Sequence, residues 1–468
     1  MTPIIRVQRT EGECILCDRH LCAQHLGSEY HKCPKWEVSI RARDLENHEL
    51  RSRAVQDEEA YVPASLEAER KEINSLVQKI NISALLSRAS QLRDGMSCHL
   101  PQTLEYDKST RSSVMGGMNY NIEIQFEDGV SLLARIRKFN ATSPPPDVRR
   151  HIMRSEIATL QFLEKTNVPA PRVFDHSLEE ENPIGVEYIL MEKMPGKSLR
   201  WSLGSAEQAR KVISQLADIY IELAAFPFKS MGSLDQPGTS HVGPFSRESL
   251  TDFYDSKMHA LGPFVSYEEY IHAGLRLTLD LIMREEIYTT RAVDAFLVHR
   301  FLIDCIPHIL SHHKTSDGQF YLRHADDKGD HLLVDDDCNI TGIVDWEWAH
   351  TDPKSRAFIS PLMLLPVKDF YDGVNDTGDD ELMFARFLEE KGRWDLAETV
   401  RNGRILHRFE FCWGYDFGDW KGFLGLFQGF RKAIGVDGDL EWETWREQAL
   451  GRYKDDDQLK ELMKRHAA

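Results

Sequence analysis

Residues 324–349 read HADDKGDHLLVDDDCNITGIVDWEWA, and this stretch decides the fold. Leu332 to Val334 form a predicted short strand, a polar turn follows, and Ile340 to Val344 form the return strand. We expect this hairpin to bring together two carboxylates that are separated in the sequence. They are Asp326, before the first strand, and Asp345, at the end of the second.

A carboxylate pair of this kind suits phosphoryl transfer. One carboxylate orients or deprotonates the attacking hydroxyl group, and the other holds the Mg²⁺ ion that neutralises the phosphates. The alternative for an isolated acidic run is a solvated loop. Because predicted strands flank the acidic residues at this spacing, the sequence favours a site for phosphoryl transfer.

The motif residues resemble a known family. His324, Asp326, Asp345 and Trp346 match the His-x-Asp loop, hairpin and Asp-Trp or Asp-Phe sequence of the aminoglycoside phosphotransferase family, particularly its fungal members. The resemblance implies an α+β, protein-kinase-like fold of two lobes, one small and rich in β-structure and one large and helical. It also implies that Asp326 is the catalytic base, that Asp345 is the principal Mg²⁺ ligand and that His324 braces the loop.

One position departs from that family. Seven residues after the histidine the family usually has asparagine, a second Mg²⁺ ligand, and this chain has His331, preceded by Asp330. Imidazole is a poorer ligand than oxygen for a hard cation. We therefore predict a metal site of Asp345, His331 and Asp330, in which Asp330 or Asp327 compensates for the imidazole. The departure leaves full catalytic activity open.

The upstream half of the chain carries the residues that would meet a nucleotide. Gly116 and Gly117 precede a predicted strand, and glycines allow backbone N–H groups to approach phosphates. The family resemblance makes this pair a phosphate-covering loop and places Arg135 where kinases have the phosphate-binding lysine. It further pairs Arg135 with Glu156, and it makes the segment around Met191 a hinge whose backbone binds adenine.

Hydrophobic periodicity divides the chain into regions. Strands are predicted at 121–126, 130–136 and 188–191, and a helix at 147–165. Past residue 196 the pattern is mainly that of amphipathic helices. The predicted regions are a zinc-binding module (1–40), a linker (41–62), a helix packed on the kinase-like domain (63–95), an N-lobe (96–195) and a helical C-lobe with the catalytic hairpin (196–468).

Six residues between positions 14 and 33 are the candidate zinc ligands: Cys14, Cys17, Cys22, His25, His31 and Cys33. Such a density is hard to explain except by zinc. From Cys17 onward the spacing resembles the second half of the zinc fingers of stress-associated proteins. That resemblance implies one site formed by Cys14, Cys17, His31 and Cys33, with Cys22 and His25 as alternates. Four protein ligands close the site, so the zinc would be structural.

Composition restricts the partners. Lys plus Arg total 57 and Asp plus Glu total 75, so the formal net charge is -18. An acidic surface repels phosphate backbones, which argues against nucleic acid as a partner, and it is compatible with a cationic substrate. No apolar run approaches the ~20 residues that span a bilayer, and the N-terminus lacks a secretory apolar core. We expect an intracellular, cytoplasmic protein, although the sequence itself does not decide between nucleus and cytosol.

The leading hypothesis is an ATP-dependent phosphotransferase with Mg²⁺ and a structural Zn²⁺, acting on an alcohol group of an unidentified small molecule. The alternative is a catalytically impaired scaffold that binds protein partners through its helical lobe and zinc module. A protein kinase is a third hypothesis, which the lack of a recognisable activation segment disfavours. Asp416, Trp413 and Trp420 are candidates for the acceptor pocket or, equally, for core and surface positions.

Overall fold

The computed structural model describes residues 10–13, 20–22, 70–104, 118–138, 145–201, 204–247, 260–312, 318–415, 417 and 419–466, the first two ranges by their backbone. Two compact units divide these residues. The smaller unit comprises the described residues up to Arg149 together with Arg172–Lys193. The larger unit comprises Arg150–Pro171 and the chain from Met194 onward.

The smaller unit contains two helices and seven strands among its described residues. In chain order they are β1 (Thr10–Glu13), β2 (His20–Cys22), α1 (70–79), α2 (Ile82–Gln91), β3 (Cys98–His99), β4 (Asn119–Phe126), β5 (Ser131–Arg137), β6 (Val173–Ser177) and β7 (Tyr188–Glu192). Strands β3 to β7 form one antiparallel sheet in the order β3-β4-β5-β7-β6. The predicted hairpin of two long strands and the third predicted strand are therefore all present.

The sheet and the two helices share one apolar core. Alternate side chains of β4, from Tyr120 to Phe126, are buried, as expected for a strand with one face on a core. Ile73 on α1 and Leu85 on α2 belong to the same cluster as these strand residues. Gly129 closes the β4–β5 turn with φ +85°, a backbone conformation that glycine adopts without steric cost.

The single helix predicted over 63–95 is wrong, because two helices meet at Ile80 and Asn81. Asn81 is the N-cap of α2, and its side-chain oxygen accepts a hydrogen bond from the Ala84 N–H at 3.1 Å. Its own backbone N–H donates to the Ile184 carbonyl at 2.8 Å. An asparagine that satisfies backbone donors in this way favours a cap over a helix interior, which ends one helix and starts the next.

The larger unit is mainly helical. Helix α3 (Pro146–Leu163) starts in the smaller unit, and the elements that follow β7 are β8 (Lys197–Ser198), α4 (Ala206–Leu223), β9 (Pro227–Phe228), β10 (Ser233–Leu234), β11 (Val242–Gly243), α5 (Tyr267–Met283), α6 (Ala292–Asp304), α7 (Ile306–His312), β12 (Phe320–Arg323), β13 (Leu332–Val334), β14 (Ile340–Ile343), β15 (His350–Pro353), α8 (Lys354–Ala357), α9 (Val367–Tyr371), α10 (Asp379–Glu390), α11 (Trp394–Arg401), α12 (Arg404–Gly414), α13 (Trp420–Ile434), α14 (Trp442–Arg452) and α15 (Asp457–His466). Two of its small sheets have the strand orders β15-β12-β9 and β14-β13-β8.

The partition differs from the predicted N-lobe over 96–195, because residues 150–171 belong to the larger unit. The packing of Phe162 on α3 gives the physical reason. Its ring lies 5.8 Å from that of Phe226 and 5.1 Å from that of Phe228, both in the larger unit. Among the helices that the structure describes, none combines the length and apolar character that crossing a membrane requires.

Candidate active site

The site is built on the β13–β14 hairpin. Leu332 pairs with Ile343 and Leu333 with Gly342, and the register shifts before Val334. The turn between the strands is closed by Asp335, whose carboxylate accepts backbone N–H groups of residues 337 and 339 at 3.0 and 2.8 Å. These side-chain-to-backbone bonds explain why an acidic residue occupies the turn, so Asp335 serves the hairpin and not the chemistry.

His324 links the two carboxylate-bearing segments. Its Nδ1 accepts the backbone N–H of Asp326 at 3.2 Å, and its Nε2 lies 2.9 Å from the carbonyl oxygen of Val344. One nitrogen that accepts and one that donates define a neutral imidazole with the proton on Nε2. Burial lowers the pKa of His324, which is consistent with the neutral form. His324 therefore holds the residue before Asp345 against the segment of Asp326 through these two hydrogen bonds.

Asp326 lies among charges that influence its ionisation. Burial raises its pKa above the ordinary value, the ammonium group of Lys328 opposes that effect, and the charges of Asp330 and Asp345 raise the pKa further. The Lys328 Nζ lies 3.1 Å from Asp326 Oδ1. The charge of Asp345, which is 19 positions away in the sequence, therefore acts on the ionisation of Asp326.

Asp345 has an unusual backbone. Its φ of +69° places it in the left-handed region, at the junction of β14 and the short 3₁₀ turn Trp346–Trp348. The indole N–H of Trp346 donates to the carbonyl of Ile343 at 2.8 Å and fixes this turn. Non-glycine residues in this region cost conformational energy and persist where the surroundings impose them. The surrounding turn therefore imposes the backbone conformation from which the Asp345 side chain projects.

His331 is embedded in the protein. Its side chain is 7% exposed, its ring stacks on that of His324 with centroids 4.3 Å apart, and its Nδ1 accepts the backbone N–H of Gly329 at 3.3 Å. Burial holds its pKa well below the ordinary value, so the ring is neutral. The proton then sits on Nε2, and neither nitrogen offers a free lone pair. This geometry does not favour the predicted metal role of His331, which stays a prediction.

The other two aspartates of the loop have separate roles. Asp327 is buried, and its carboxylate accepts the backbone N–H of Leu362 at 3.1 Å, while burial raises its pKa to about 6. This hydrogen bond attaches the loop to the backbone at Leu362. Asp330 is exposed, and its carbonyl accepts a hydrogen bond from the Ser198 hydroxyl on β8. Of the two residues that could compensate for His331, only Asp330 has its carboxylate on the solvent side.

The donor set fits a magnesium ion that is bound partly by other ligands. Asp345 and Asp330 would supply carboxylate oxygens, and the charges of both act on Lys328 and Asp326. No group of three or more histidine, cysteine or acidic side chains is arranged to hold a metal within the described residues. Mg²⁺ usually takes one or two protein carboxylates and completes its shell with water and substrate phosphates. Two carboxylates therefore suffice.

The residues predicted to meet the nucleotide are only partly described. Gly116 and Gly117 lie outside the described residues. Arg135 on β5 pairs with Ile189, and Met191 on β7 pairs with β5, both in the smaller unit. Glu156 is buried on α3 in the part of that helix that belongs to the larger unit. Their nucleotide roles and the pairing of Arg135 with Glu156 stay predictions.

Of the three candidates for the acceptor pocket, the structure describes Trp413 and Trp420, and both pack against other side chains. Trp413 is 3% exposed, and its indole N–H donates to the Thr278 hydroxyl at 2.9 Å, so it is a core residue. Trp420 packs edge-on against Trp442 with ring centroids 4.8 Å apart, and the Arg291 guanidinium lies 3.8 Å above it. Asp416 lies outside the described residues. Trp413 is thus a core residue, and a role of Trp420 in the acceptor pocket stays a prediction.

The predicted zinc ligands are not described by the structure. Cys14, Cys17, His25, His31 and Cys33 lie outside the described residues. Of the sixth candidate, Cys22, the backbone alone is described, at the end of β2 where it pairs with Thr10 of β1. The zinc site stays a prediction.

A buried cluster of ion pairs holds the residue that directly precedes the loop. No motif in the sequence had indicated this cluster. Arg323, which directly precedes the loop, makes two hydrogen bonds to the carboxylate of Glu410 at 3.1 and 3.2 Å. Arg356 contacts Glu410 at 2.7 Å and Asp352 at 2.9 Å, and His350 contacts Asp352 at 3.2 Å. Burial alone would raise the pKa of both acids, but the arginines lower the pKa of Glu410 to about 2. Arg356, His350 and Arg323 together hold the pKa of Asp352 well below its usual range.

Comparison with known proteins places this site in context. The model of the phosphotransferase enzyme family matches residues 119–354, half of the chain. A subtelomeric hrmA-associated cluster protein of Aspergillus fumigatus is 34% identical over 122 residues, 25% of this chain and 23% of that protein, so the chain spans about a quarter of its length. Clavilactone A biosynthesis cluster protein Y of Ampulloclitocybe clavipes is 24% identical over 320 residues, 66% of this chain and 71% of that protein.

Solved structures of aminoglycoside phosphotransferases are also similar at low identity. The gentamicin complex of APH(2")-IIa has 11% identity and a TM-score of 0.42, covering 75% of this chain and 98% of that one. The ternary complex of a thermostable APH(4)-Ia mutant with AMP-PNP and hygromycin B has 15% identity and a TM-score of 0.38, covering 70% and 93%.

Proposed function

The chain belongs to the phosphotransferase enzyme family, and from this membership we propose that it transfers the terminal phosphoryl group of ATP to a hydroxyl group of a small molecule. One observation carries the proposal: the Lys328 ammonium lies 3.1 Å from the Asp326 carboxylate, and the charge of Asp345 acts on both groups. Phosphoryl transfer needs a proton acceptor, a cation and a metal-binding carboxylate at one point. The loop and the hairpin supply all three.

The proposed reaction assigns one task to each group. Asp326 orients the acceptor hydroxyl and takes its proton as the oxygen–phosphorus bond forms and the bond from phosphorus to the leaving ADP oxygen breaks. When bound, Mg²⁺ would neutralise phosphate oxygens, with Asp345 and Asp330 as its carboxylates. His324 keeps the segments of Asp326 and Asp345 in register through its two hydrogen bonds. Efficient proton transfer requires this positioning before any pKa effect.

The nucleotide contacts are proposed from the order in which the motif residues occur along the chain. Gly116 and Gly117 would cover the phosphates, and Arg135, paired with Glu156, would contact them from β5. Backbone groups at Met191 would bind adenine. Arginine keeps the positive charge that kinases place at this strand position, but it offers a planar fork in place of a compact ammonium.

The experiment that tests the function is calorimetric titration of the full, zinc-loaded chain with Mg·ATP, in comparison with Asp345→Asn. Asparagine is the preferred replacement because it tolerates the left-handed backbone of this position, so that mainly the charge changes. We expect binding to weaken by about tenfold or more, since a neutral amide is a poorer Mg²⁺ ligand than a carboxylate.

Asp336→Asn is the matched control, because Asp336 is 95% exposed in the turn of the same hairpin. It should bind Mg·ATP as the wild type does. Wild-type protein that is folded and binds no Mg·ATP would contradict the proposed function. Binding that survives in Asp345→Asn would contradict the metal role of Asp345 alone.

A scaffold that binds protein partners is the second candidate function, and the geometry of His331 favours it. A neutral, stacked imidazole occupies the position where the family has a second metal ligand. The zinc module would then add a surface for a protein partner. The same titration separates the two functions, because a scaffold has no need to bind Mg·ATP.

We also propose the N-terminal zinc site, on the density of its ligands. Metal analysis of the purified full chain should give about one zinc per chain. Replacing both Cys14 and Cys33 with serine should abolish zinc retention, whereas serine at the buried Cys412 should leave the zinc content unchanged. Zinc-free wild-type protein, or full retention in the double variant, would contradict the site.

A further inference from the structure

The segment that follows Asp345 is buried and forms a closed turn. The backbone N–H of Ala349 donates to the carbonyl of Trp346 at 3.0 Å and closes the 3₁₀ turn that begins after Asp345. The side chains of Trp346, Glu347, Trp348 and Ala349 are all buried. Because the turn is continuous with Asp345, a displacement of the turn would also displace the backbone that carries the Asp345 carboxylate.

Two serine hydroxyl groups hold the carbonyl oxygens of this turn. The Ser233 hydroxyl donates to the carbonyl oxygen of Ala349 at 3.0 Å, and the Ser246 hydroxyl donates to that of Glu347 at 3.3 Å. The Ser233 oxygen also accepts the backbone N–H of Ser246 at 3.0 Å, which links the two serines. Both serines are buried, so little water competes for these hydrogen bonds. The turn is therefore attached to a segment that is distant in sequence.

Both serines lie on the β10–β11 hairpin, which has its own fixed structure. Ser233 pairs with Gly243 across the hairpin. A Cβ atom at Gly232 would lie 2.1 Å from the Gly243 carbonyl oxygen, so the two backbones approach more closely than a side chain permits. His151 on α3 also contacts the hairpin, with its Nε2 3.2 Å from the Pro244 carbonyl oxygen. These contacts do not involve the turn, so the hairpin can act as its support.

We propose that Ser233 and Ser246 are positioning residues for the metal: they hold the turn that follows Asp345 and thereby fix the direction in which its carboxylate is presented to Mg²⁺. This inference rests on the proposed function. Both serines act through the backbone carbonyls of the turn. Groups that orient a metal ligand typically contribute about 10–100-fold to metal affinity, which gives the scale of the expected effect.

The dependence of nucleotide binding on Mg²⁺ tests this role without a known acceptor. A fluorescent, non-hydrolysable ATP analogue is mixed with the full chain, and its fluorescence anisotropy is followed as Mg²⁺ is added. Ser233→Ala should raise the Mg²⁺ concentration at half-maximal binding by about tenfold. Saturating Mg²⁺ should restore the wild-type maximum, because only the presentation of the metal ligand is impaired. Ser246→Ala removes the longer of the two bonds to the turn and should shift the midpoint less, in the same direction.

Thr399→Val is the matched control for the loss of a buried hydroxyl group. The Thr399 hydroxyl donates to the carbonyl oxygen of Phe358 at 2.7 Å, and the side chain is buried. Valine keeps the shape of threonine and removes the donor. This variant should lose thermal stability, as the serine variants do, and should keep the wild-type Mg²⁺ midpoint.

The outcomes separate this inference from the proposed function. An unchanged midpoint in the serine variants would overturn it, and so would an equal shift in Thr399→Val, because general destabilisation would then explain the effect. A lower maximum at an unchanged midpoint would overturn it too. If Ser233→Ala does not fold, Ser246→Ala decides alone. In all these cases wild-type binding leaves the phosphotransferase function standing, whereas folded wild-type protein that binds no nucleotide would overturn both proposals.

Discussion

Asp326→Asn is expected to reduce phosphoryl transfer by ~10² or more while leaving Mg·ATP binding nearly unchanged. The amide has the shape of the carboxylate but cannot accept the proton of the attacking hydroxyl. The backbone N–H of residue 326 still donates to His324, so the loop keeps its brace. Turnover is measured as Mg²⁺-dependent ATP hydrolysis, with water as the acceptor, or with an alcohol substrate once a screen identifies one.

The control for this variant is Asp337→Asn, an exposed aspartate in the turn of the same hairpin. It should retain wild-type turnover and wild-type binding. A variant at position 326 with normal turnover would show that another group takes the proton. Loss of ATP binding in parallel with turnover would instead indicate that Asp326 contributes mainly to the binding of nucleotide.

Asp352→Asn is expected to lower the free energy of unfolding by about 3–5 kcal/mol, because it leaves buried arginines with too little negative charge. Asp352 is fully buried and contacts Arg323, Arg356 and His350. Urea denaturation followed by tryptophan fluorescence measures the loss. Since the folded-state pKa of Asp352 is depressed, its contribution is complete above the unfolded-state pKa and declines as the pH falls through the folded-state pKa.

The control for this variant is an aspartate in an ion pair at the surface of the same unit. Asp395 contacts Arg393 at 2.8 Å and also Lys354, but its side chain is 42% exposed. Asp395→Asn should cost less than about 1 kcal/mol, as solvent-exposed ion pairs do. Equal losses at the two positions, or a loss below about 1 kcal/mol at position 352, would show that burial does not govern the strength of this cluster.

The elements that the sequence predicted are those with a strong local signal. The alternation from Asn121 to Phe126 specifies a strand within a few residues, and the polar residues of the 332–343 hairpin specify a turn. The break at Asn81 was missed because an asparagine in an apolar-periodic segment is compatible with a surface helix position. Short strands such as β9 and β12 were missed because two to four residues carry no detectable period.

The site residues, like the strands and helices, were predictable where the sequence signal is local. The hairpin predicted that Asp326 and Asp345 come together, and the motif singled out His324, which bonds both segments in the structure. The stacking of His331 could not be predicted, because it depends on the burial of the ring by residues distant in sequence. Lys328 was overlooked, although it stands two residues after Asp326 in the most informative stretch. The ionic cluster around Asp352 gives no sequence signal, because its members come from four separate elements.

The buried carboxyl of Asp327 bears on how acid inactivation of this protein should be interpreted. An inflection near pH 6 is conventionally assigned to imidazole, yet both loop histidines have lowered pKa values and Asp327 has a pKa raised to about 6. The heat of ionisation distinguishes the two groups, since a carboxyl releases its proton with little enthalpy and an imidazolium with much more. An inflection that stays at the same pH on warming would therefore belong to Asp327.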